Sequence, residues 1–347
     1  MLDFDLIVVD ESTAFKNPSS KRTKALIRLL KTVKKRIILT GTPAPNSHKD
    51  LYSQMLVVDN GASLGRTQAE FRARFLQQGG FKGREWLVRD GAADQIDRAI
   101  ADKVIWMCAA DHLDMPRLVH NNVLVQLPPK VRAEYDRLEK EMFVELEQGT
   151  VEALAPASKY QMCKSIANGG LYQTDEFGER TTHHMHNAKT DALKEIIDNL
   201  NGKPALVLYA YNHDLDRLTE AFPKAPVING ASKLEDTKEV IAEWQTGAFP
   251  VLLAQPQAMS HGVDGLQGAS QDIIWYGLSD RNEVVLQANA RIYRQGNEHE
   301  QVRIHHIVAD KTVDEAIVAR LKDKTKGQQA LLDALTAYRE RKQNAGH

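Results

Sequence analysis

Cysteine is nearly absent: Cys108 and Cys163 are the only two in 347 residues. That excludes a disulfide scaffold and a thiolate metal site. Long apolar runs are missing, so no stretch is built to cross a bilayer as a helix, and the first residues lack the basic-then-apolar pattern of a secretion signal. No membrane partner is expected, and a reducing, cytoplasmic setting is. Net charge is only −1, which removes a general attraction to nucleic acid and leaves that role to local patches. One patch stands out: Lys16 to Arg36 holds nine Lys or Arg and no Asp or Glu. Charge alone fits a DNA-facing surface or a solvated helix face. The stretch with Arg320, Lys322, Lys324, Lys326, Arg339, Arg341 and Lys342 also leans basic.

What is present is a globular composition, 42% apolar and 26% charged, in a chain long enough for two domains. Leu6-Ile7-Val8-Val9 is a continuous apolar run, as in a strand buried on both faces of a parallel sheet. Pro18-Ser19-Ser20 opens a helix with Leu26, Leu29, Leu30 and Val33 at helical spacing, and Arg36-Ile37-Ile38-Leu39-Thr40 is a second strand. Strand, helix, strand implies a parallel α/β unit, here within residues 1–60. Residues 61–128, punctuated by Gly79, Gly80, Gly83 and Gly91, read as an insertion and inter-lobe region. Residues 129–189 read as a helix followed by a polar surface loop over 169–188.

The pattern is clearest over 190–325. Strands at Ala205–Tyr209, Val227–Asn229, Val251–Ala254, Ile273–Tyr276 and Val302–Val308 alternate with helices. Capping boxes are expected at Ser232 with Glu235, Asp280 with Glu283, and Thr312 with Glu315. A last helix with Leu331, Leu332, Leu335 and Tyr338 is expected within 326–347. The expected fold class is α/β with two parallel-sheet lobes, the first incomplete and the second complete.

Chemistry concentrates at a few places. Asp10 and Glu11 end the first strand, the edge where open parallel sheets bind ligands. One carboxylate there can hold Mg2+ through its water shell while the other deprotonates an attacking water. A solvated turn is the plain alternative. Thr40-Gly41-Thr42 ends the neighbouring strand and suits a sensor of a nucleotide's phosphate end. Ser260-His261-Gly262-Val263-Asp264-Gly265 follows a later strand; its glycines permit close approach, and Asp264 or Ser260 suits a ribose or a phosphate. Gln287, Arg291 and Arg294, spaced i, i+4, i+7, fall on one stripe of a helix that Gly296 ends. Guanidinium groups pair bidentately with phosphate. His183-His184-Met185-His186 lacks further ligands at metal spacing and reads as a solvated loop. Trp86, Trp106, Trp244 and Trp275 read as core.

In order, these residues resemble the superfamily-two helicase motifs, specifically those of Swi/Snf-type translocases and their small phage-type members. Asp10-Glu11-Ser12-Thr13 with Lys16-Asn17 resembles motif II, Ser-Thr replacing the commoner Ala-His. Leu39 to Pro43 with Asn46 resembles motif III, and Val207 to Tyr211 is placed like motif IV. Ser260 to Gln267 resembles motif V with Gly265 inserted, and Gln287, Arg291, Arg294 and Gly296 resemble motif VI. The resemblance covers residues 5 to 320. It implies two RecA-like lobes with ATP and Mg2+ between them and double-stranded DNA across both. Asp10 would coordinate the metal, Glu11 activate water, and Arg291 and Arg294 reach the γ-phosphate. Thr40, Gly41 and Thr42 would couple hydrolysis to lobe movement; Gly262, Asp264 and Gln287 would line the nucleotide. For a phage-encoded protein the setting is the host cytoplasm.

One expected part is missing. The phosphate-binding loop Gly-x-x-x-x-Gly-Lys-Ser/Thr should lie well before motif II, yet only nine residues precede Asp10. Gly202-Lys203 does not substitute, since Pro204 follows and Ile197 stands at the upstream glycine position. Three expectations follow, in this order: an internal start, a split gene whose other chain supplies the loop, or a fragment that only binds DNA or protein. A subunit of a restriction-type motor is a further alternative. The 347-residue chain alone is therefore expected to hydrolyse ATP poorly or not at all. A DNA-stimulated ATPase assay on the purified chain checks this, and robust turnover would refute it.

Overall fold

Parallel pairing organises both halves of the chain. The computed structural model describes residues 4–41, 43–44, 47–79, 85–105, 107, 112–148, 154–174, 180–260 and 263–322. They form two compact units, one within Met1–Cys108 and one within Ala109–Asp323. The expected helix over 326–347 lies outside the described residues, as do Trp106 and Cys108. Among the described residues no helix is long and apolar enough to cross a membrane.

In the first unit, β1 (Leu6–Val9) feeds α1 (Lys21–Leu29), which returns to β2 (Lys35–Ile38). The strands pair in parallel, Leu6 opposite Lys35 and Val9 opposite Ile38. Ser20 caps α1 by accepting from the Thr23 N–H at 3.1 Å. There follow α2 (Leu51–Asp59), α3 (Gln68–Phe75), an antiparallel hairpin of β3 (Leu76–Gly79) and β4 (Glu85–Val88), and α4 (Ala92–Ile100). These pack around Leu51, Met55, Phe71, Phe75, Ile96 and Ile100. Burial of β1 on both faces is not observed. Ile7 and Val9 pack with Leu30, Val33 and Val57, whereas Leu6, Val8, Ile37 and Leu39 are 43, 52, 47 and 50% exposed. The pleat sends alternate residues to opposite faces, and the described helices cover one of them.

The second unit begins with β5 (Arg117–Val125), α5 (Pro129–Gln148), α6 (Leu154–Ala167) and an antiparallel hairpin, β6 (Gly170–Thr174) with β7 (Arg180–His184). It continues through α7 (Ala188–Asn199), β8 (Ala205–Leu208), α8 (Asn212–Ala221), β9 (Val227–Ile228), α9 (Leu234–Gln245) and β10 (Val251–Ala254). Then come β11 (Asp272–Trp275), α10 (Asn282–Asn289), β12 (Gln301–Ala309) and α11 (Val313–Lys322). Six of these strands form one parallel sheet in the order β5-β12-β11-β8-β10-β9. Ala205 and Val207 face one hydrophobic core, with Leu193, Ile196 and Tyr135. Leu206 and Leu208 face the other, with Trp244, Trp275, Ala288 and Ile292. Covering on both faces explains the continuous apolar runs.

The expected α/β class is observed, with differences in detail. β5 lies in the stretch read as insertion, yet it is the sheet's edge strand, paired with β12 from Arg117–Gln301 to Val125–Ala309. The loop expected over 169–188 contains the β6–β7 hairpin. The expected capping boxes do not form as written. α9 starts after Lys233, α10 after Arg281, and neither has a side-chain cap; the Ser232 Oγ instead accepts from the Asn229 N–H. Thr312 does accept from the Asp314 N–H, but the Glu315 carboxylate takes the Lys311 N–H.

The histidine run also divides. His183 and His184 lie on the exposed β7, but His186 is buried. The His186 Nε2–H donates to the Ile166 carbonyl at 2.8 Å, and the Ala188 N–H donates to Nδ1 at 3.2 Å, which fixes a neutral ring. Burial lowers the imidazole from its usual 6.5 to about 4, against the opposing pull of the Ile166 carbonyl. A depressed value means that the unfolded chain binds the proton first. The associated stability is present above pH 6.5 and is lost as pH falls through about 4. Chemical denaturation across that window should show falling stability, with a flatter profile for His186→Gln; identical profiles would contradict this.

Candidate functional site

One group of candidate residues grows from the end of β1. Glu11 adopts a left-handed backbone, φ 50° and ψ 50°, which costs a residue with a Cβ roughly 1–2 kcal/mol. Hydrogen bonds on both sides hold it there. The Leu39 N–H donates to the Val9 carbonyl at 2.8 Å, the Ser12 N–H to the Leu39 carbonyl at 2.9 Å, and the Glu11 N–H to Asp10 Oδ1 at 2.8 Å. Behind the turn, the hydroxyls of Thr13 and Thr40 meet at 2.9 Å. Ser12 Oγ donates to Gln54 Oε1 at 2.7 Å, and Gln54 Nε2 reaches the Pro43 carbonyl at 2.6 Å. Ser12, Thr13 and Gln54 are buried, so the Ser-Thr that replaces the commoner pair pins the acidic turn to the next strand. Gln54 was not evident from sequence; a polar residue amid the apolar face of α2 was the available signal.

Asp10, Glu11, Thr40 and Gly41 thus share one end of the parallel pair. Asp10 is exposed and Glu11 half-buried. A Cβ added at Gly41 meets nothing within 4 Å, so the backbone is approachable there. Thr42 and Asn46 lie outside the described residues. Among the described residues no group of three His, Cys, Asp or Glu could cage a metal. Asp10 and Glu11 supply the one or two carboxylates that Mg2+ takes when water and phosphate oxygens fill its shell. The donor set therefore fits a magnesium–nucleotide.

The candidate residues of the second unit differ from expectation. α10 ends at Asn289, so only Gln287 is helical, while Arg291 and Arg294 occupy the following turns. The Asn289 side chain accepts from Trp275 Nε1 at 2.9 Å, and the Arg291 and Ile292 N–H groups bond to the carbonyls of Ala288 and Asn289, tightening the chain out of the helix. Ile292 still packs in the core, as do Val285 and Ala288.

Both arginines turn to the loop before β11. Arg291 Nη1 donates to the Val263 carbonyl at 3.1 Å, and Arg294 Nη1 pairs with Asp264 Oδ1 at 2.8 Å. Asp264 is held in turn by the Gly265 N–H at 2.9 Å. Gly265 needs to be glycine: φ is +93°, and a Cβ would lie 2.9 Å from Gln245 Nε2, which donates to the Gly265 carbonyl. The residue that looked inserted therefore shapes the turn presenting Asp264. With side chains 41% and 73% exposed, the Arg294–Asp264 pair is weakly held, worth about 0–1 kcal/mol. A phosphate can displace it. Gly262 and His261 lie outside the described residues.

A buried network elsewhere in this unit escaped sequence reasoning. Lys189 Nζ meets Asp314 at 2.6 Å and Asn168 Oδ1 at 2.7 Å, joining α7 to α11. Lys189 stands four residues before Leu193 on the apolar stripe, a signal that it points inward. Ser165, His213 and Asp214 form a row at 2.9 and 3.1 Å that mimics a hydrolytic triad. All three are buried, Ser165 donates to the Gly170 carbonyl, and Arg217 shares Asp214, so the row is packing.

Comparison with known proteins adds four findings. The model for the SNF2-related domain matches residues 2–162. Protein p41 of Acyrthosiphon pisum secondary endosymbiont phage 1 is 35% identical over 343 residues, covering 96% of this chain and 73% of that protein. The SWI/SNF-related matrix-associated actin-dependent regulator of chromatin subfamily A-like protein 1 of Xenopus tropicalis is 24% identical, covering 95% of this chain but only 34% of its own length. Among solved structures, the Sulfolobus solfataricus SWI2/SNF2 ATPase core in complex with dsDNA aligns at 20% identity and a TM-score of 0.44, covering 93% of this chain and 67% of that one. With more than a third of its residues shared along nearly the whole chain with a phage protein, and a domain match beginning at residue 2, this chain belongs to the SNF2-related family of superfamily two, among its phage-type members.

Proposed function

We propose that the chain is the catalytic and DNA-engaging part of a DNA-dependent ATPase that translocates along duplex DNA. The observation that carries this reading is the strained Asp10–Glu11 turn, tied to Thr40 at the end of a parallel strand pair, in a chain of this family. In this reading Asp10 would hold Mg2+, and Glu11 would take a proton from the attacking water. Thr40, Gly41 and Thr42 pass the state of the phosphate into the turn behind them. By motif, Arg291 and Arg294 are assigned to the γ-phosphate, and Gly262, Asp264 and Gln287 to the rest of the nucleotide. Bound Mg2+ supplies charge neutralisation on the phosphates. Hydrolysis also draws on a glycine-rich loop that these 347 residues do not contain.

The basic patch supports a DNA role in part. Lys21, Arg22, Lys24, Arg28, Lys34 and Lys35 are exposed. Arg36 belongs elsewhere, since its guanidinium is spent on the carbonyls of Leu30, Val33 and Val57 and on Asn60. Affinity for duplex DNA should fall steeply with salt, and the triple change Lys21→Gln, Arg22→Gln, Lys24→Gln should lower the log–log slope by about one per lost phosphate contact. A flat salt response would contradict the patch. In protein supplied with the phosphate loop, Glu11→Gln should cut DNA-stimulated hydrolysis by about a hundredfold or more while nucleotide binding persists. Unchanged turnover would overturn Glu11's role.

A further inference from the structure

A cavity of about 510 Å³ opens within the first unit, lined by Lys16 and Asn17 at the end of motif II but by none of Asp10, Glu11, Thr40 or Gly41. Its buried lining pairs Asp50 and Leu76 with two aromatic rings, Tyr52 stacking on Phe71 with ring centres 4.7 Å apart. Trp86, read from sequence as core, is half-buried on β4, and the Arg72 guanidinium sits 5.0 Å from its ring centre. Lys16, Lys49 and Arg72 bring three positive charges, Asp50 and Glu85 two negative ones. The volume falls in the range of small-ligand sites and excludes a duplex. Aromatic faces beside cations are how proteins hold single nucleic-acid strands, by stacking bases and neutralising phosphates. The excess of one positive charge matches one phosphodiester. Carboxylates beside a stacked base accept from exocyclic amino groups.

We propose that this cavity captures one unstacked nucleotide of a DNA strand. The base lies against Trp86 and Arg72, the phosphate meets Lys16 and Lys49, and Glu85 or Asp50 accepts from the base edge. Lys16 also begins the basic run leading through Asn17 and Pro18 into α1, so a strand lying on that patch is delivered to the cavity mouth. The inference rests on the DNA-binding reading given above. It adds that the protein distinguishes DNA with unpaired bases from blunt duplex.

The test uses the full 347-residue chain with a short single-stranded oligonucleotide, the same strand with abasic sites, and a blunt duplex. The chain holds four Trp, so the difference between wild-type and Trp86→Phe emission, not the total, reports Trp86. The base-bearing strand should quench wild-type emission and bind about tenfold more tightly than the abasic strand. Trp86→Phe should abolish the quench at nearly unchanged affinity, and Trp86→Ala should weaken binding about tenfold. Should Trp86→Ala fail to fold, Lys49→Gln should weaken base-bearing and abasic strands alike while leaving the Trp86 quench in place. Equal affinity for base-bearing and abasic strands, or displacement of the quench by an acidic aromatic peptide but not by the strand, would overturn the proposal. Loss of all binding, duplex included, would instead count against the DNA-binding reading on which it rests.

Discussion

Parallel strand pairing is the constraint on which the rest of the molecule depends. A parallel pair cannot be closed by a tight turn, so each strand must return through a crossover, and every strand-to-helix turn then falls at one edge of the sheet. In the first unit that edge collects Asp10 and Glu11 from β1 and Thr40 and Gly41 from β2. In the second unit the same rule places the Ala210–Asp214 turn at the end of β8, where Asp214 Oδ2 accepts from the Ala210 and Tyr211 N–H groups. Side chains buried on both faces of β8, β10 and β11 make that edge rigid.

Against this scaffold the two groups of site residues are held in opposite ways. The acidic turn is over-determined: a left-handed Glu11 persists because backbone bonds to β2, the Thr13–Thr40 hydroxyl pair and the Ser12–Gln54 bond all require it. Strain kept by its surroundings is what preorganised chemistry uses. Arg294, in contrast, rests on an exposed carboxylate in a pair that solvent and salt screen. On the proposed reading, a fixed acid pair and a releasable arginine divide the labour: one part is set before the nucleotide arrives, the other responds to it.

Much of this could be read in advance where one physical rule acts alone. The strands from Ala205 to Val308 were legible because a sheet covered on both faces demands unbroken apolar runs. The α1 crossover was legible because Ser20 and the apolar stripe follow helix rules. β5 was not, since an edge strand with His120, Asn121 and Asn122 among its residues carries no such run. The end of α10 depends on Trp275 reaching Asn289, a contact between elements that periodicity cannot see; the pattern through Ile292 continued past the true stop. Gln54, Lys189 and His186 are polar residues turned inward, and each finds its partner far along the chain. Trp86 is core in part: it packs against the cluster of Phe71 and Phe75 and also lines the cavity, a double role that hydrophobic character alone does not reveal.

Handling of a magnesium–nucleotide by the acidic turn of Asp10 and Glu11 is the central claim. Its most direct test is Mg2+-dependent binding of a nonhydrolysable ATP analogue to protein supplied with the phosphate loop. Asp10→Asn should remove the Mg2+-dependent part of the affinity and leave the remainder, measured in a chelator, unchanged. The same Mg2+ dependence in the variant as in the wild type would contradict the account.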